Sequence, residues 1–206
     1  MSDNQEEIII ESNVRNLELY SDQHPFRLSL RIKNFQDQSE YKKFIKSCER
    51  LVRSSLEYKM WKNYIIDVLQ VQSCMITNEN ITDVSLDVHH HIPTLFILVE
   101  GIVNKKIETE EDFCTFDIAS EAIKMHFMNR IGYMVLSRTI HEKIHSSALS
   151  IPINLIRGNY KHFIDNYSRY LDDEDLDSLN HKLSIDQVEE FQYSWSQDNY
   201  PGMATG

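Results

Sequence analysis

The sequence predicts an α+β protein, and three observations carry that prediction. Residues 27–33 (Arg27, Leu28, Ser29, Leu30, Arg31, Ile32, Lys33) and residues 84–88 alternate apolar and polar side chains, as strands with one wet face do. Between them, Phe44, Ile45, Leu51, Val52, Leu56, Met60, Trp61, Tyr64, Ile65 and Val68 recur at helical spacing. A short apolar run at 133–136 then precedes a helix-like segment that carries His141 and His145.

The elements follow in order. Within residues 1–36, Ile8, Ile9 and Ile10 and the alternating run at 27–33 form two strands. Turn-prone residues around Ser21, Asp22, His24 and Pro25 part them, so an N-terminal β-hairpin is expected. Residues 37–70 form a long basic helix, or two helices broken at Ser54 and Ser55, because paired serines weaken a helix interior. Residues 71–150 form the core unit, in which the strand at 84–88 delivers its end into His89, His90 and His91. Pro93 suits the first turn of a helix from Thr94 to about Val103, where it gives up no hydrogen bond. A second helix runs from about Phe116 to Asn129, and the two together make a helical insertion at 94–130. The strand at 133–136 leads to a helix capped by Ser137 or Thr139. Residues 151–185 are a helical C-terminal extension: an edge strand around 150–155 that tolerates Pro152, then helices at about 160–170 and 175–183. Residues 186–206 are an acidic tail with Phe191, Tyr193 and Trp195.

Composition narrows the function. A chain of 206 residues can bury one respectable core, no apolar run reaches membrane-spanning length, and the acidic start lacks the basic region of a secretory signal. An intracellular protein with no membrane partner is expected. Cys48, Cys74 and Cys114 are odd in number and contain no CxxC pair, which argues against a disulfide framework or a four-cysteine zinc site. The net charge of -11 disfavours indiscriminate nucleic-acid binding. Its distribution is uneven, however. Between residues 40 and 63, Lys42, Lys43, Lys46, Arg50, Arg53, Lys59 and Lys62 face only three acids, and from Asp172 onward nine acids face only Lys182. The basic stretch suits contact with DNA phosphates, and the acidic aromatic tail suits docking into an apolar groove with a basic rim on a protein partner; either is equally read as solvated surface.

Nine histidines are present, and five fall into two groups, His89-His90-His91 and His141-Glu142-Lys143-Ile144-His145. Histidines four residues apart on a helix point the same way and can grip one ion. Two chemistries use that spelling: the HExxH zinc peptidase, whose glutamate activates water, and a one-metal phosphodiesterase, whose strand histidines complete the site. In the second, one strand histidine faces the metal and its neighbour, facing the opposite way, polarises the attacking water.

Four stretches bear on this choice. Arg53-Ser54-Ser55-Leu56-Glu57-Tyr58-Lys59-Met60-Trp61 resembles the RxSxEYxxW helix that precedes the core of HNH-type ββα-metal endonucleases. Cys74-Met75-Ile76-Thr77-Asn78 stands where that family carries a CxxC or CxxTG knuckle, and Val88-His89-His90-His91-Ile92-Pro93 resembles its VHHxxP strand. Residues 136–145, Leu136-Ser137-Arg138-Thr139-Ile140-His141-Glu142-Lys143-Ile144-His145, resemble its LCxxCHxxxH ending. The resemblance runs in order from about Arg53 to His145 and implies a ββα-metal (HNH-like) core acting as a metal-dependent DNA endonuclease. It makes His89, His141 and His145 ligands of Mg²⁺, Mn²⁺, Ni²⁺ or Zn²⁺ and His90 the general base, with His91 and Asn129 as accessories. It also suits a phage-encoded protein acting in the host cytoplasm. The departures are Thr77, Ser137 and Ile140 at cysteine positions, and Gly132 near where the family's central asparagine would fall, with only Asn129 close by.

Two other functions compete. A zinc peptidase would need Glu142 as base and a downstream ligand such as His162 or Asp165, and it leaves His89 to His91 without a role; Lys143 also places a charge on a face that peptidases bury. A catalytically inactive HNH-like adaptor would dock a partner through residues 186–206. Trp61, Cys74 and Cys114 read as core, and His24, His126, His162 and His181 as isolated surface or core histidines.

Overall fold

The computed structural model describes Phe35, residues 37–186 and the two-residue strand 189–190. The expected strands at 8–10 and 27–33 and the aromatic residues Phe191, Tyr193 and Trp195 lie outside the described residues. The elements are α1 (Gln38–Ser54), α2 (Leu56–Asn63), β1 (Leu86–Ile92), α3 (Leu95–Glu108), α4 (Thr115–Phe127), β2 (Gly132–Ser137), α5 (Arg138–His145), β3 (Leu149–Ser150), α6 (Lys161–Tyr167), α7 (Asp173–Ser184) and β4 (Glu189–Glu190). This is a helix-rich α+β fold with two small antiparallel sheets, β1–β2 and β3–β4. No described helix is long and apolar enough to cross a membrane.

The basic segment at 37–70 is two helices rather than one. Ser55 leaves the helical conformation (φ -65°, ψ 152°) and its hydroxyl accepts from Tyr58 N–H, so the same serine that stops α1 caps α2. A single π turn, Tyr64–Val68, extends α2. Pro93 lies outside α3, whose cap is Thr94, with its hydroxyl accepting from Ile97 N–H. The expected strand at 150–155 shortens to Leu149–Ser150 and gives way to a 3₁₀ turn at Ile153–Leu155, because Pro152 has no N–H to continue a ladder. Ser137 is the N-cap of α5 by backbone position, but its hydroxyl makes no capping bond.

β1 continues through all three histidines, beyond the expected end at Val88. It pairs with β2 from Leu86↔Ser137 to Ile92↔Gly132, with a bulge at His91. Because strand side chains alternate, the hairpin divides the molecule into two cores. Val88 and Ile92, with Tyr133 and Val135 opposite, face the larger core built by α1, α2, α3, α4 and α6 around Ile45, Val52, Trp61, Leu98, Ile102, Ile118 and Phe163. Met134 and Leu136 face a smaller one completed by Cys74, Ile140, Leu149 and Ile151. Every residue of β2 is buried as a result.

On the larger-core side, His90 enters an aromatic box. Its ring stacks on Tyr58 (centroids 5.7 Å, 14°) and meets Trp61 at 5.5 Å, while His126 of α4 meets Trp61 edge-on at 4.6 Å. The hydrogen-bond chain assigns the protons. His126 Nδ1 lies 2.6 Å from the Ala122 carbonyl, which only accepts, so Nδ1 carries the hydrogen and Nε2 is bare. His90 Nε2, 2.6 Å from His126 Nε2, must then donate, which leaves His90 Nδ1 to accept from the Tyr58 hydroxyl at 3.4 Å. Both rings are therefore held neutral, chiefly by burial. For His126 burial lowers the pKa to about 4, against the ordinary 6.5.

The unfolded chain binds a proton at His126 more readily than the folded one between those two values. Its contribution is thus complete above pH 6.5 and is lost as the pH falls toward 4, a loss of about 3 kcal/mol for this group. Urea unfolding at several pH values should show that decline. In His126→Phe the curve should be shallower, with stability at pH 7.5 lowered by roughly 1–3 kcal/mol because the His90 donor is left unpaired.

Candidate metal centre

The opposite face of β1 carries His89 and His91, whose ring centroids are 5.7 Å apart. Across from it, α5 starts directly at the end of β2, so the strand pair and the helix hold a fixed relation. Ile140 anchors α5 in the smaller core, and this turns His141 and His145, one turn apart, back toward β1. The His89 ring lies 4.8 Å from that of His141 and 5.3 Å from that of His145. His141 Nε2 and His145 Nε2 are 2.9 Å apart. One nitrogen from each of the three histidines falls within 4.8 Å of the others.

Three imidazoles converging from two elements form the donor set that zinc, nickel and other borderline divalent ions prefer. Their protonation suits it. His89 is driven down to about 2 by burial and then by His91, His141 and His145; His141 is lowered by burial and by His145. Neutral imidazoles offer lone pairs, so no proton has to leave His89 before an ion can bind. The burial gradient runs from the 7 % exposed His89 to the exposed His145, which places the outer side of the trio toward solvent.

The other predicted site residues separate from this trio. His90 faces the aromatic box on the far side of the strand, with both ring nitrogens engaged. His91 stays on the trio's face, 4 % exposed, and among the described residues neither ring nitrogen has a hydrogen-bond partner. Burial, then Lys182, lowers its pKa to about 4. Asn129 ends α4 in the left-handed conformation (φ 55°), and its carbonyl accepts from Asn159 N–H; its described contacts make it a helix terminator. Glu142 is exposed and pairs with Arg138 at 3.0 Å. Lys42, Lys43, Lys46, Arg50 and Lys59 are exposed along α1 and α2. Of the basic group, Arg53 and Lys62 come nearest the site, since both act electrostatically on His141.

Two further residues belong here. Asp87, two positions before His89 and therefore on the same strand face, raises the pKa of His141 and pairs with Lys62. Lys182 of α7 reaches the carbonyl of His91 at 3.4 Å and acts on both His89 and His91. The alternation of β1 marks Asp87 in the sequence. Nothing local marks Lys182, which looked like a lone base in an acidic helix.

A tight turn braces the site from below. Burial alone would raise the Cys74 thiol, but the Thr77 hydroxyl and the N–H groups of Ser137, Thr77 and Ile76 point at it and hold it below its ordinary value. Met75 N–H donates to the Val135 carbonyl and ties the turn to β2 (2.9 Å).

Fold and site define a helix-rich α+β protein in which a strand pair and a following helix gather three imidazoles able to ligate one divalent ion. By sequence the chain belongs to the bacteriophage G278-like virion protein family, whose model matches residues 3–200, and it is of phage origin. No curated protein and no solved structure matches it.

Calorimetric titration with zinc or nickel should show about one ion bound per chain at this site, and His141→Ala should weaken it by roughly tenfold or more. Unchanged affinity in His141→Ala would remove the trio from consideration.

Proposed function

We propose that the chain is a metal-dependent phosphodiesterase of the ββα-metal type, acting on DNA, with His89, His141 and His145 as ligands and His91 as general base. The observation that carries this reading is the convergence of His89 with His141 and His145 across a strand, strand and helix that follow one another in the HNH order. One detail supports it. Cys74, Thr77 and Ser137, at three of the positions where HNH proteins hold a zinc knuckle, meet through hydrogen bonds to one thiol. One detail weighs against it: Gly132, near which the central asparagine would fall, has no room for any side chain, since a Cβ there would sit 2.7 Å from the Ile92 carbonyl oxygen, so no asparagine orients the base from that position.

The base role moves from His90 to His91 for a physical reason. A water at the trio is on the other side of the strand from His90, whose only basic nitrogen is turned toward Tyr58. His91 is on the trio's face with both nitrogens unpartnered among the described residues, and its low pKa keeps one of them free to accept a proton at neutral pH. In the reaction, water oxygen attacks phosphorus, its proton goes to His91, and the bond from phosphorus to the 3′ oxygen breaks. A bound ion would supply charge neutralisation at the phosphorane-like transition state and the departing oxygen. Lys62 and Arg53 hold the flanking phosphates near the site, with Lys42, Lys43, Lys46, Arg50 and Lys59 along the same two helices. Glu142, exposed and paired with Arg138, has no part in this scheme, and its position weighs against the peptidase reading.

The virion description of the family favours a second reading, in which the trio's ion only staples the hairpin to α5 and the acidic segment docks a partner in the particle. Plasmid nicking in Mn²⁺, Mg²⁺, Ni²⁺ or Zn²⁺ separates the two. The nuclease requires nicking that falls at least about 100-fold in His91→Ala with metal affinity retained, and that is untouched in Glu142→Gln. The staple reading requires metal binding with no nicking. Deletion from residue 191, which spares the β3–β4 pair, should abolish partner capture under the second reading alone.

A further inference from the structure

A second group of ligating side chains lies away from the histidines, where α7 begins against α3. Glu100 of α3, Asp172 and Asp175 each present a carboxylate oxygen, and the three oxygens lie within 4.8 Å of one another. Asp172 is the N-cap of α7, accepting from Asp175 N–H at 2.9 Å. Glu100 is the unusual member. It is 5 % exposed, among the apolar residues of α3, and it is a carboxylate rather than a small polar group. Its Oε1 lies 3.0 Å from the Tyr41 hydroxyl, itself 2.8 Å from Asn104 Oδ1; its Oε2 is buried, with no hydrogen-bond donor among the described residues.

The surroundings are negative. Asp173, Glu174 and Asp177 flank the group on α7, and among the described residues no lysine, arginine or histidine forms an ion pair with Glu100, Asp172 or Asp175. Lys182, two turns on, feels Asp175 without reaching it. A buried carboxylate with an unpaired oxygen, facing two more, costs several kcal/mol unless a cation or a proton neutralises it.

We propose that Glu100, Asp172 and Asp175 form a second cation site, for a hard divalent ion such as Ca²⁺ or Mg²⁺, that fastens the start of α7 to α3. All-oxygen donors select hard ions, whereas the histidine trio selects borderline ones, so the two sites divide the available metals. The site would also hold α7 in the position from which Lys182 reaches His91. The rival is a proton: burial, and then Asp175, push the Glu100 carboxyl up, and a protonated Glu100 could donate to Asp175.

Calcium titrated calorimetrically into the full chain should bind at one site outside the trio, with affinity unchanged in His141→Ala. Asp172→Asn is the informative variant, because asparagine caps a helix as well as aspartate and removes only the charge. Calcium affinity should fall at least about tenfold in Asp172→Asn and in Glu100→Gln, along with the calcium-induced rise in melting temperature. Calcium affinity equal to wild type in Asp172→Asn refutes the site. So does the absence of a calcium effect together with a Glu100→Gln protein that melts higher than wild type in EDTA, which assigns the buried carboxyl to a shared proton.

Discussion

The structure depends on β1 being buried on both faces. A strand with one wet face could shed an unwanted imidazole into water, but here three consecutive histidines must be accommodated inside, and the pleat sends them to different places. The even-numbered His90 goes into the larger core, where Tyr58 and His126 satisfy it and Trp61 packs on it. The odd-numbered His89 and His91 go to the face shared with α5. One tripeptide thus supplies both a structural polar network and part of a histidine cluster, and the two placements cannot be exchanged without slipping the register by one residue.

That division explains what could be read from the sequence. The convergence of His89, His141 and His145 was legible because both of its signals are local: the i, i+4 spacing of His141 and His145, and a strand ending in histidines. The element order was legible from periodicity, and Ser55 was correctly suspected as the break between α1 and α2. Which strand histidine would serve as base under the proposed reading was not legible, because it depends on which face of the strand meets α5. His126 looked isolated, and its role exists only because α4 of the insertion crosses Trp61. Lys182 is ninety-one residues from the carbonyl it reaches, a separation that no local pattern encodes.

The smaller core shows how packing can stand in for a metal. Cys74, Thr77 and Ser137 still approach one another, but the thiol is met by N–H groups and a hydroxyl, and Met134, Leu136, Ile140, Leu149 and Ile151 fill the rest. A hydrogen-bonded, apolar cluster of this kind holds together without a second or third cysteine. Bracing of the hairpin and the gathering of the histidines thus fall to different residues.

The helical insertion has a kinetic consequence. β1 and β2 pair from Ile92↔Gly132 outward, yet 39 residues separate those two, where an ordinary hairpin turn has a handful. Loop-closure entropy grows only logarithmically, so this costs the folded state about 2 kcal/mol relative to a short turn. The burden falls on the order of events. Pairing across so long a segment is favoured once α3 and α4 have compacted it, so topology favours those helices forming before His89 meets α5. Partly folded chains of this protein would hold their helices before they hold their histidines, and an ion arriving early would find only the pair on α5.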